Sequence, residues 1–333
     1  MRMGLKKLIC IALFILLLAC SGKVTKEESP ESLFELGLNY LNGRNDSLGI
    51  YMNKEKGIAL IRRSAEQGYV KAQYVLGFSY YFGEGVLQDY TQAVYWWRKA
   101  AEQGYSDAQF YLGNAYYFGE GVSADKVQGG YWYRKAAEQG YAAAQNSLGI
   151  YYYDGIGVSQ DYIQAVYWWR KAAEQGNADA QYNLGSAYYF GEGVSADGTQ
   201  AVYWWRKAAE QGYAAAQNGL GTCYYDGIGV SQDYTQTVYW YRKAAEQGNV
   251  KAQFNLGVCY NKGDGIPMNK PQAVYWWSKA AEQGDADAQY NLGRAYWLGD
   301  GVSEDKPQAV YWWSKAAEQG NADAIELLKV YHE

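Results

Sequence analysis

Histidine is nearly missing from this chain of 333 residues: the one copy, His332, stands next to the C-terminus. That leaves no side chain of the type that most often carries protons or binds metals near neutral pH, and His332 itself reads as a solvated tail residue. Cysteine is scarce as well, with four copies, and no His/Cys set or H-E-x-x-H has metal-ligand spacing. Neither a metal nor a cofactor is expected, and no Gly-rich strand-to-helix turn is present to cradle a phosphate. Positive charge is also lacking, with 30 Lys and Arg against 35 Asp and Glu, which argues against nucleic acid as a partner. What the chain has instead is aromatic content of 17%, too rich for disorder and well suited to a packed interior.

The start of the chain differs from the rest. Lys6 and Lys7 precede an apolar run from Leu8 to Leu18, the layout of a secretory signal and too short to span a bilayer comfortably. The run closes on "LLLAC" and Ser21, which resembles the lipobox of bacterial lipoproteins. That resemblance implies a signal peptide over 1–19, acylation of Cys20, and a polar tether over 20–30. The alternative is plain cleavage after Ala19. Several acyl chains on one residue make a stable membrane anchor, because each buried methylene adds about 0.8 kcal/mol. In lipoproteins of this type an aspartate after the cysteine favours the inner membrane, so Ser21 points to the outer membrane, on its periplasmic or surface face. Loss of Arg2, Lys6 and Lys7 takes the formal charge from −5 to −8.

Beyond the tether the sequence is periodic. AEQG recurs eight times, starting at Ala65, Ala101, Ala137, Ala173, Ala209, Ala245, Ala281 and Ala317, always 36 positions apart. One unit, Asn177 to Gly212, reads as two amphipathic helices. The first is predicted over about Ala178 to Phe190, with Ala180, Leu184, Ala187 and Tyr188 at three- and four-residue steps, Asn177 as N-cap and Gly191 as the left-handed stop. A short "GEGVSAD" turn follows, with Val194 placed to plug the space between the helices. The spacing Asp197/Gln200, repeated in six other units with Asn269 for the aspartate in one, predicts a reciprocal capping box, and Pro271 and Pro307 fall in a first turn, where no amide is needed. The second helix sets Trp204 and Trp205 against Ala201, Ala208 and Ala209, and Gly212 closes it. AEQG is then a helix end with its cap, written once per stacked unit.

The pattern "A...LG..YY.G.GV..D..QA..W..KAAEQG" resembles the Sel-1-like repeat, a relative of the tetratricopeptide repeat. The resemblance implies an all-α fold: a right-handed superhelical solenoid of eight helix-turn-helix units over 31–68, 69–104, 105–140, 141–176, 177–212, 213–248, 249–284 and 285–320, with a capping helix over 321–333. The first copy carries four extra residues in its turn. Larger units of 72 residues are visible too, since "YFGEGVSAD" alternates with "YYDGIGVSQDY". Cys223 and Cys259 lie one period apart, and helix axes spaced by about 8 to 10 Å put them beyond disulfide reach, as buried free thiols. An oxidising compartment is the argument for the bridged alternative.

Candidate functional positions are those the frame does not need. The residue after each LG varies: Phe78, Asn114, Ile150, Ser186, Thr222, Val258 and Arg294. In a solenoid such slots line the concave face and write selectivity; drift at exposed sites is the alternative. One slot of the second helix is always tyrosine: Tyr95, Tyr131, Tyr167, Tyr203, Tyr239, Tyr275 and Tyr311. These rings form either an exposed ladder for a partner or flat spacers between units. "SADK" at Ser123 and "SEDK" at Ser303 match the S-x-x-K of penicillin-recognising enzymes, without the S-D-N or K-T-G that would accompany it. No catalytic residue is assigned, and the expected role is a non-enzymatic, membrane-anchored scaffold for envelope or host proteins or peptides. The alternatives are binding of peptidoglycan or exopolysaccharide by the tyrosine ladder and, more remotely, weak β-lactam hydrolysis.

Overall fold

The computed structural model describes residues 29–43 and 52–332. Cys20, the signal segment, most of the tether and the longer turn of the first copy lie outside the described residues. Every element among these is a helix. The first compact unit, residues up to Ala108 with Glu120–Val122, holds α1 (Pro30–Asn42), α2 (Lys54–Glu66), α3 (Val70–Phe82) and α4 (Tyr90–Glu102). The second unit comprises Gln109–Gly119 and Ser123 onward. It takes in most of α5 (Ser106–Phe118) and then α6 (Lys126–Glu138), α7 (Ala142–Asp154), α8 (Tyr162–Glu174), α9 (Ala178–Phe190) and α10 (Gly198–Glu210). It continues through α11 (Ala214–Asp226), α12 (Tyr234–Glu246), α13 (Val250–Lys262), α14 (Lys270–Glu282), α15 (Ala286–Leu298), α16 (Lys306–Glu318) and α17 (Ala322–His332). Odd-numbered helices are the first of each repeat and even-numbered the second. Within each unit, helices that follow one another pack together, from α1 to α4 and from α6 to α17, as in an all-α solenoid.

Local chemistry sets the helix ends. In α9 the Asn177 side chain accepts from Ala180 N, and Gly191, at φ 75°, closes the helix where any Cβ would be strained. In α10 the Asp197 carboxylate accepts from Thr199 N and Gln200 N. The predicted capping box is only half made. The Asp197 amide, which Gln200 was expected to hold, donates instead to Tyr188 O at 2.9 Å, and Asp89, Asp161, Asp233 and Asp305 do the same to the tyrosine nine residues earlier. A backbone carbonyl left over at the end of the first helix reaches the cap before the glutamine side chain can.

Close approach explains the glycine of LG. A Cβ on Gly185 would stand 2.5 Å from Trp205 Cδ1, and the glycines of four other repeats meet their tryptophans in the same way. The indole therefore lies directly on the backbone of the first helix. Around α9 the core is built of Leu184, Ala180, Ala187, Trp169, Ala172 and Trp204, with Val194 packed against it from the turn. The repeat containing α6 departs from this scheme with Gly129 and Gly130, and the space is filled by Tyr151 of α7, 2% exposed, where other repeats carry a smaller residue.

Candidate interaction faces

Three features are shared along the repeats: a buried polar seam and two solvent-facing stripes. The seam begins with a glutamine buried in each first helix, from Gln73 to Gln289, 3% to 5% exposed. Gln181 Nε2 donates to Ala173 O at the end of α8, and its Oε1 accepts from Nε2 of Gln211, the glutamine of AEQG, at 2.8 Å. The same side-chain pair recurs at 2.7 to 2.9 Å in all seven repeats that have both residues. AEQG is thus more than a helix end, because its glutamine satisfies the buried glutamine that bridges to the preceding repeat. Sequence reading missed the inner partner, although its signal was there: the "AQ" of the seven first helices from α3 to α15 has the same period of 36.

A second set of polar links joins successive repeats nearer the surface. Arg206 donates to Tyr224 OH at 2.8 Å, and Arg62, Arg134, Arg170 and Arg242 reach the corresponding tyrosines at 2.7 to 3.1 Å. Tyr81 and Tyr153 donate to Glu120 and Glu192 at 2.9 Å, and Tyr225 to Asp264 at 3.2 Å, so this contact follows the longer period of two repeats.

On the first helices the slots after LG are half-buried in six of seven cases, and only Arg294 is exposed. Phe78 stands edge-on to Trp97, while Ile150 and Val258 pack against core clusters. Where the second helix carries Tyr in place of Trp, the slot is polar and bonds to the phenol: Tyr133 OH donates to Asn114 at 2.5 Å, and Thr222 Oγ1 lies 3.0 Å from Tyr241 OH. Ser186 donates to Tyr182 O. Part of the variation at these slots therefore follows the packing partner. Flanking positions on the same stripe also vary, as in Tyr182 and Asn183 against Asn218 and Gly219.

On the second helices the seven tyrosines are 45% to 50% exposed, so they are not flat spacers between units. Each ring stands edge-on to the following tryptophan, with centroids 4.9 to 5.1 Å apart. Over six of them the ammonium of the lysine one turn later lies 4.9 to 5.8 Å from the ring centre. This face does not vary as the first-helix stripe does.

The remaining candidates sit apart. Ser123 and Ser303 are exposed in turns; Lys126 lies over the Tyr117 ring and Lys306 pairs with Glu304 at 3.6 Å. Cys223 and Cys259 are buried and free, and burial pushes both thiols up to about 12. Among the described residues no three His, Cys, Asp or Glu are gathered as a metal set would be.

The pattern of the Sel1 repeat matches the chain eight times, over residues 30–69, 70–105, 106–141, 142–177, 178–213, 214–249, 250–285 and 286–321. Among solved structures, the chain is similar to c5321, a protective antigen present in uropathogenic Escherichia coli strains and displaying an SLR fold. The identity is 43% and the TM-score 0.82, over 89% of this chain and 63% of that one, so the present chain spans less than two thirds of that protein's length. It is also similar to a Sel1 repeat protein from Oxalobacter formigenes, at 37% identity and a TM-score of 0.69, over 95% of this chain and 99% of the other. No curated protein matches the chain.

Proposed function

The chain belongs to the Sel1-repeat family, and from that premise we propose that it is a non-enzymatic scaffold of a bacterial cell envelope, anchored through Cys20, that holds protein partners on its first-helix stripe. Sel1-repeat solenoids mediate protein–protein interactions. The observation that carries the reading is the contrast between the two stripes: the exposed second-helix side chains repeat from unit to unit, whereas the first-helix stripe changes at several positions in each. A surface that differs at every step can recognise one extended peptide or helix in one register. Half-buried rings such as Tyr182, Phe254 and Tyr290 supply area that is already ordered, which lowers the entropy lost on binding. The resemblance of "LLLAC" to a lipobox is what supports the membrane anchor, and Ser21 supports the outer membrane.

The test is co-purification from cross-linked cells, comparing the native chain with Cys20→Ala and with Arg294→Glu. A discrete protein partner that is retained by the native chain, and lost on reversing the charge of the exposed Arg294, supports the scaffold. Release of the Cys20→Ala chain from the membrane fraction supports the anchor. Recovery of the same proteins with Arg294→Glu and with a chain altered at Tyr182 and Phe254 would remove the first-helix stripe from the account.

A further inference from the structure

The second-helix stripe of the second unit is not used by that reading. On α10 it consists of Tyr203, Arg206, Lys207 and Glu210, and α6, α8 and α12 carry the same four residue types in the same order. Each of these helices therefore presents two cations against one acid, on a chain whose net charge is −5. Acids gather elsewhere, in turns such as the one holding Glu192 and Asp197. Each stripe tyrosine is about half exposed with its lysine over the ring, and beside Tyr203 a shallow groove of about 440 Å³ extends to Gly229 and Val230 of the next turn.

A half-exposed ring beside a cation suits a ligand unit with an apolar C–H face and a carboxylate, which describes a uronic acid. Recurrence decides between polymers. A row of identical contacts cannot distinguish one position from the next, so it suits a ligand that also repeats the same group, as a linear polysaccharide does and a folded or extended polypeptide generally does not. Single contacts of this kind are weak, and several in a row add by effective concentration. We propose that the second-helix stripe of α6, α8, α10 and α12 binds a linear acidic polysaccharide of the uronic acid class, with carboxylates on the lysines and sugar faces on the tyrosines. This does not depend on the scaffold reading.

The test is equilibrium binding of the full chain to polygalacturonate, with polyglutamate as a charge-matched polymer and dextran as a neutral one. Polygalacturonate binds and weakens as salt rises; polyglutamate binds at least about tenfold more weakly, and dextran is not retained. The pair Lys171→Gln with Lys207→Gln, at exposed positions, lowers affinity about tenfold with unchanged circular dichroism, and so does Tyr167→Ser with Tyr203→Ser. Equal affinity for polyglutamate would reduce the stripe to non-specific charge. Absence of polygalacturonate binding, or no effect of the lysine pair, would overturn the proposal outright.

Discussion

Gln181 shows how a single side chain can serve the whole stack. It is buried, donates to the preceding repeat and accepts from its own AEQG glutamine, so both ends of its amide are satisfied. Replacing it with leucine leaves Ala173 O only backbone donors such as Gly176 N and Gln211 Nε2 only the longer bond to Lys207 O, and the expected cost is about 0.5 to 1.5 kcal/mol. Denaturant unfolding of Gln181→Leu checks this, and a loss below about 0.5 kcal/mol would mean that water serves the seam equally well. The burial of this glutamine was not legible in the sequence because polar residues on an amphipathic helix read as surface by default. The alanines, leucines and tryptophans of the core were legible, since their spacing follows the helical period. The tyrosine ladder was ambiguous for a different reason: whether a ring at that position lies flat or stands up depends on the tryptophan beside it.

The helix ends carry a sharper lesson. Asp197 caps α10 through Thr199 N and Gln200 N, while its own amide goes to Tyr188 O. Asp197→Ala is therefore expected to cost about 1 kcal/mol, and Gln200→Ala only a few tenths, because the glutamine side chain does not return to the cap. Equal losses in the two variants, measured by thermal or denaturant unfolding, would restore the reciprocal box. The Asp-x-x-Gln spacing pointed to the right boundary for the wrong reason: local sequence shows which groups are able to cap, but a neighbouring helix end decides which donor is free. Boundaries elsewhere followed the same logic, with glycine closing the first helices and Pro271 and Pro307 placed in first turns.

Among the described residues, burial and hydrogen bonding favour the neutral form of several phenols and of the Cys223 and Cys259 thiols. Tyr81 and Tyr105 are pushed from 10.0 up to about 12 chiefly by burial, and Tyr153 to about 12 chiefly by the hydrogen bond it donates to Glu192. Because the folded state favours the protonated phenol, their contribution is complete below pH 10.0 and is lost as pH rises through about 12. The chain should keep its helical circular dichroism up to the start of that window and unfold within it; full retention of helix above it would contradict the burial and hydrogen bonding of these phenols. Function at this scale rests on the division between a stripe that repeats and a stripe that varies. Site-resolved photo-cross-linking in intact cells tests that division most directly, with the probe placed at exposed Asp179 or Arg294 on the first helices and at Tyr203 on a second helix. The account predicts a discrete protein adduct from Asp179 and Arg294 and none of the same mass from Tyr203. The same protein adduct from Tyr203 alone would place the partner on the repeated stripe and contradict it.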